Sequence, residues 1–149
     1  MLDLAFFTDE VARDDFDASV RQGVEAGANA TELRGGLYGK KIQDISDEDA
    51  KRIAATLRRH GAKVGAIGSP FGKCDHTNPE EVAAHHRIFE RMAALARLFG
   101  TPIIRGFAFW APARRGERGP RPKIEDCLDE EASGNSGRPW IVYDLNDIC

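Results

Sequence analysis

The sequence predicts an α/β chain of about four βα units with parallel strands, followed by an irregular C-terminal tail. Three observations carry this. Apolar runs of strand length alternate with amphipathic stretches of helix length, a glycine stands just past each helix at Gly27, Gly61 and Gly100, and the cadence stops after Trp110. Alternation with short links implies parallel pairing and right-handed crossovers. At 149 residues the chain suits one domain with a sizeable core. Residues 1–110 take the βα units and 111–149 the tail.

The first strand is the apolar run Leu4 to Thr8, which delivers Asp9 and Glu10 at its C-terminal end. Asp14 or Asp15 caps a helix with Phe16, Val20 and Val24 at i, i+4 and i+8, ending near Gly27. Ala30 to Leu33 is the second strand, running into Arg34-Gly35-Gly36. The loop from Leu37 to Lys41 carries glycine and charge and is expected to face solvent.

Ser46 starts the second helix, with Asp47, Glu48 and Asp49 at the positive end of its dipole. Ala50, Ile53, Ala54 and Leu57 form its apolar stripe. Lys63 to Ser69 is a third strand, buried on both faces. Asn78-Pro79-Glu80-Glu81 is the strongest helix start, with an N-cap residue, proline at N1 and glutamate at N3. That helix buries Val82, Phe89, Met92, Ala93, Ala96 and Phe99. Pro102 to Phe109 is the fourth strand, with Arg105 inside it. In the tail, Lys123 to Ala132 reads as a short acidic helix and Trp140 to Tyr143 as a brief strand.

Composition narrows the function classes. Twenty-one basic against 24 acidic side chains give a net charge of −3, without the clustered basic excess that nucleic acid requires. No apolar run approaches membrane-spanning length, and Met1 to Glu10 lacks the basic start of a signal peptide. Cys74, Cys127 and Cys149 are odd in number and form no C-x-x-C pair, against a disulfide framework. A cytoplasmic protein without membrane or nucleic-acid partners is expected.

Four stretches carry a resemblance: Phe6 to Glu10, Gly27 to Gly36 with its Glu32-Leu33-Arg34-Gly35-Gly36 end, Gly65 to Lys73, and Ala96 to Arg105 with Leu98-Phe99-Gly100-Thr101-Pro102-Ile103-Ile104-Arg105. They resemble the sugar-phosphate isomerase/epimerase family, the xylose-isomerase-like (β/α)8 barrels related to endonuclease IV and AP endonuclease family 2. The resemblance covers roughly the first 110 residues and implies a partial (β/α)8 TIM barrel, its N-terminal half. A complete barrel takes eight strands and about 250 residues. The resemblance further implies metal-assisted proton transfer next to a carbonyl, with a divalent metal held by later strands that have no counterpart here. Trp140 to Asp144 lacks the leucine-glutamate-asparagine run of a fifth strand in that family. The chain is therefore read as a half-barrel fragment or a truncated or frameshifted product. No metal is expected to bind it well, and no catalytic residue is assigned.

In such a barrel the C-terminal strand ends face the active site, and Asp9, Glu10, Glu32, Arg34, Ser69, Lys73 and Arg105 fall there. Glu32, Arg34, Lys73 and Arg105 are the substrate-binding candidates: Lys and Arg suit phosphate or carboxylate, Glu suits hydroxyls. The competing reading is a set of ion pairs closing the mouth, with Glu32 bound to a neighbouring arginine. Cys74-Asp75-His76 is a weak metal motif, and His85 and His86, on a helix near Glu81 and Glu90, read as surface or groove-edge residues rather than ligands. Gly68 to Lys73 fails as a phosphate loop, because the glycine spacing is short and no Ser or Thr follows Lys73. The expected ligand is a small sugar or sugar phosphate. The alternative is a non-catalytic half-barrel that self-associates as a homodimer, since an open parallel sheet leaves an unpaired edge.

Overall fold

The computed structural model describes residues 4–75 and 78–107, together with the strand 140–143. In chain order the elements are β1 (Ala5–Phe7), α1 (Phe16–Glu25), β2 (Ala30–Leu33), α2 (Asp47–His60), β3 (Lys63–Gly68), α3 (Pro79–Phe99), β4 (Ile103–Gly106) and β5 (Trp140–Tyr143). All five strands are parallel in one open sheet of order β1-β2-β3-β4-β5, so each strand lies beside its sequence neighbour. The expected alternation is thus present, and the 140–143 segment joins the sheet beside β4. The helix expected at 123–132 lies outside the described residues, as do His76, Cys127 and Cys149.

Local chemistry sets the helix boundaries. The Asp15 carboxylate accepts from the Ala18 amide at the start of α1. Ser46 and Asp49 form a reciprocal capping box on α2, and Asn78 accepts from the Glu80 and Glu81 amides on α3 with Pro79 at its first position. These bonds satisfy amides that have no partner inside the helix. Gly61 and Gly100 close α2 and α3 in the left-handed conformation. α1 is capped one residue before its glycine, at Ala26, and Gly27 follows with φ of 97°.

The core lies between the sheet and the three helices. Phe16 and Val20 of α1, Ala50, Ile53 and Leu57 of α2, and Phe89, Met92, Ala93, Leu95 and Ala96 of α3 pack on Leu33, Val64, Ile67 and Ile104. Leu95 extends the stripe anticipated for α3. The Thr101 hydroxyl donates to the Gly65 carbonyl at 2.7 Å, fixing the chain as it enters β4.

The loop between β2 and α2 meets expectation at Gly39, Lys40 and Lys41, which are exposed, and departs from it at Leu37, which is buried in the core together with Ile42 and Ile45 farther along. Their apolar side chains outweigh the loop's charges, which reach outward from a short 3-10 turn over Ile42–Asp44. Tyr38 holds a positive φ of 53° there. Its hydroxyl lies 2.7 Å from the Thr56 hydroxyl, its ring meets Phe16, and the Arg52 guanidinium stacks on it at 3.6 Å. These contacts hold a conformation that L residues seldom adopt.

Asp49 titrates well below the ordinary carboxylate range, because it accepts from Lys40 at 2.6 Å and from the Ser46 amide and hydroxyl. Its folded pKa is depressed, so its contribution is complete above the unfolded value of about 3.9 and is lost as pH falls below that. Two outcomes follow for urea unfolding. Ser46→Ala lowers stability by about 1 kcal/mol at neutral pH. The deficit of Asp49→Asn relative to the parent shrinks as the pH is lowered from 5 toward 2, and a deficit that stays constant or grows contradicts the assignment.

Candidate functional site

A strand's C-terminal end places its last side chains alternately above and below the sheet. Here β2 and β4, on either side of β3, put polar groups on one face at the same end, and β1 delivers two more just past its end. Register pairs Phe7 with Glu32, Glu32 with Ala66, and Gly68 with Arg105. An irregularity between Thr31 and Glu32 shifts β3 by one residue against β2. Gly68 then lies directly under the polar groups of the flanking strands. A Cβ at Gly68 would sit 2.9 Å from Glu32 Oε1, 3.0 Å from Arg34 Cβ and 3.2 Å from an Arg105 terminal nitrogen. The missing side chain is what lets Glu32 and Arg105 meet across β3.

They meet as an ion pair, Arg105 Nε donating to Glu32 Oε1 at 2.9 Å, with the side chains only 14% and 19% exposed. Arg34 forms a second cluster with the end of β1, donating through Nε to Asp9 at 3.0 Å and through a terminal nitrogen to Glu10 at 2.8 Å. Burial disfavours the Arg34 cation. The hydrogen bonds and charges of Asp9 and Glu10 outweigh that effect and raise its pKa above the usual value. Glu10 is largely exposed, so its bond to Arg34 adds little stability. Asp9 is tucked against Gly35 and Gly36, and its Oδ1 is buried without a hydrogen-bond partner.

Two aromatic rings space these cations. The Arg34 and Arg105 guanidinium groups lie 4.4 and 5.8 Å from the centre of the Phe7 ring. Arg105 and the Lys73 ammonium lie 5.0 and 4.0 Å from that of Phe107. Lys73 follows a tight turn in which Gly72, φ 82°, abuts the Phe107 carbonyl so closely that no side chain fits. All four candidate residues therefore belong to one array: Glu32, Arg34 and Arg105 at its centre and Lys73 at its border. Asp9 and Glu10 join it. Ser69 does not, since its buried hydroxyl accepts from the Phe71 amide. Phe7, Gly68 and Phe107 are members that the sequence reading left out. Phe107 stands two residues past Arg105 and so on its face, but the pairing of Phe7 with Glu32 is visible only in the fold.

The other motifs stay apart from the mouth. Cys74 is buried against Val82. Glu81 accepts from Asn78 and from the Asp75 amide. His85 and His86 are half-buried, at a groove edge rather than fully on the surface, each with one ring nitrogen enclosed, and His86 faces the Phe71 ring. Desolvation lowers the His85 pKa, against the opposing charge of Glu81. Among the described residues no group of three or more His, Cys, Asp or Glu side chains is placed to share a metal ion.

This arrangement of parallel strands is shared with solved structures. Over 89% of its length the chain superposes on a D-psicose 3-epimerase crystallised in the presence of D-fructose, with a TM-score of 0.63 and 14% identity. The chain has the fold of part of a TIM barrel. An AP endonuclease of family 2 from Brucella melitensis matches 90% of the chain, TM-score 0.59 and 14% identity. A xylose-isomerase-like TIM barrel protein from Mycobacterium smegmatis in complex with magnesium matches 76%, TM-score 0.56 and 16% identity. The partial barrel spans 46%, 48% and 40% of those chains, less than half of each. No protein-family profile and no curated protein matches the sequence.

The crowding at Gly68 gives a direct test. Gly68→Ala drives a methyl group into the Glu32–Arg105 pair and the Arg34 stem, and is expected to destabilise the protein by about 1–3 kcal/mol in guanidinium unfolding. Gly39→Ala probes the other cost, since a Cβ there meets nothing within 4 Å but its φ of 83° strains an L residue. A Gly68→Ala variant as stable as the parent contradicts the crowding.

Proposed function

We propose that the partial barrel is the sugar-binding portion of an isomerase/epimerase-type site, taking a small sugar or sugar phosphate at the C-terminal ends of its strands. The observation that carries this reading is the convergence of Glu32, Arg34 and Arg105 on one face of three adjacent strands, at the end where TIM barrels hold their substrates. Guanidinium groups donate in a fixed fork that suits hydroxyl, carboxylate or phosphate oxygens. Carboxylate oxygens accept from sugar hydroxyls. The structural neighbours support the same reading, one of them a sugar epimerase crystallised with a ketohexose.

Metal chemistry fits the described residues poorly. Each carboxylate at the mouth, Asp9, Glu10 and Glu32, is bound to a guanidinium, so a divalent cation would have to displace an arginine and then sit beside its charge. Proton transfer next to a carbonyl also needs a free base and support for the developing oxyanion. Glu32 is tied to Arg105 and is assigned to binding. In this reading the chain in isolation binds its ligand without turning it over, and sugar turnover belongs to a completed barrel.

Titration followed by amide chemical shifts tests binding, with D-fructose and D-fructose 6-phosphate as probes. Saturable shifts are expected at Phe7, Glu32, Arg34 and Arg105, weakened about tenfold or more by Glu32→Gln. Shifts absent for both sugars, or confined to residues away from the strand ends, contradict the reading. The purified chain is also expected to show no divalent-metal-dependent ketose isomerisation or epimerisation. Turnover that persists through purification and disappears with chelator overturns that part.

A further inference from the structure

We infer that the strand ends recognise the uncharged, hydroxyl-bearing part of a sugar and reject a phosphate group, so that this mouth takes an unphosphorylated sugar in preference to its phosphate. The inference rests on the sugar-binding reading above and narrows its ligand. Arginine and lysine suit phosphate when their charge is available to it. Here carboxylates of the same array already hold the two arginines.

Three observations point this way. The first is the charge balance. At the centre of the array two guanidinium groups face three carboxylates, Arg34 donating to Asp9 and Glu10 and Arg105 to Glu32. Lys73 stands at the border, over the Phe107 ring. Among the described residues the centre therefore carries an excess of negative charge. A phosphate group brings roughly two further negative charges, and the sites that order it are clusters of arginine.

The second observation is which of these charges faces water. Glu10 is the most exposed of the five paired side chains, at 60%, and Arg34 follows at 36%. Asp9 and Glu32 are at 19% and Arg105 at 14%. The outermost charge of the mouth is thus negative. It repels an incoming anion and accepts from an incoming hydroxyl.

The third is what each kind of ligand demands of the ion pairs. A guanidinium carries five N–H groups, and Arg34 directs one from Nε to Asp9 and one from a terminal nitrogen to Glu10. A sugar hydroxyl can accept from another of them and donate to a carboxylate, so the pairs persist. A phosphate dianion only accepts, and it competes with Glu10 and Glu32 for their cations. Taking Arg105 would strand the largely buried Glu32 carboxylate without its partner, which is the costly way to break such a pair.

Amide-shift titrations of the full chain with D-fructose, D-fructose 6-phosphate and inorganic phosphate, at matched ionic strength, test this. D-fructose is expected to bind about tenfold or more tightly than its phosphate, and inorganic phosphate to give no saturable shift at Phe7, Glu32, Arg34 or Arg105. Added salt narrows the gap between the sugars through the phosphorylated one alone, since D-fructose carries no charge. Glu10→Gln removes the outermost carboxylate while Arg34 keeps Asp9, and is expected to narrow the gap about fivefold. Glu90→Gln makes the same charge change on the exposed face of α3 and leaves the gap unaltered. The comparison on the parent chain needs no variant. D-fructose 6-phosphate or inorganic phosphate bound at the strand ends as tightly as D-fructose overturns this inference and leaves the sugar-binding reading standing. A gap indifferent to Glu10→Gln, or narrowed equally by Glu90→Gln, overturns its electrostatic cause. Shifts from neither sugar contradict the sugar-binding reading itself, and this inference falls with it.

Discussion

The Glu32–Arg105 pair depends on the backbone between its partners. Two charged side chains from β2 and β4 reach across β3 only because residue 68 has no side chain and because the register of β3 slips by one residue beneath them. Both groups are mostly withdrawn from water, so neither is tolerable alone, since an uncompensated buried charge costs several kcal/mol. The pair therefore couples the two strands and fixes where the strand ends lie. Arg34, held by Asp9 and Glu10, repeats the device between β2 and β1 at a more exposed position.

The sheet beneath these groups is built from local instructions. Ser46 with Asp49, Asn78 with Pro79, and the glycines after α2 and α3 act within one helical turn. That is why the helices were legible from residue order. Strand order followed from alternation and short links. The polar groups at the strand ends were legible as a set, because each stands just past an apolar run.

What the sequence did not disclose is who meets whom. Glu32 finds a partner 73 residues later, and the choice of Arg105 over Arg34 depends on the register shift and on Gly68, neither of which has a local signature. In the loop after β2 the exposed Gly39, Lys40 and Lys41 are legible, whereas the apolar anchors Leu37, Ile42 and Ile45 are scattered among glycines and charges without a period. Phe7 and Phe107 read as ordinary strand residues, and only the fold places them between the cations. The strand-end groups form ion pairs with one another, and the proposed sugar site is made of those same atoms.

The account joins structure and recognition in one interaction, and a double-mutant cycle on Glu32 and Arg105 tests that link most directly. Glu32→Ala, Arg105→Ala and the double variant are compared by chemical unfolding and by ketohexose titration. The account predicts that each single substitution costs about 3 kcal/mol, that the double variant costs clearly less than their sum, and that all three lose the sugar response. Additive stability losses together with an undiminished sugar response would contradict it.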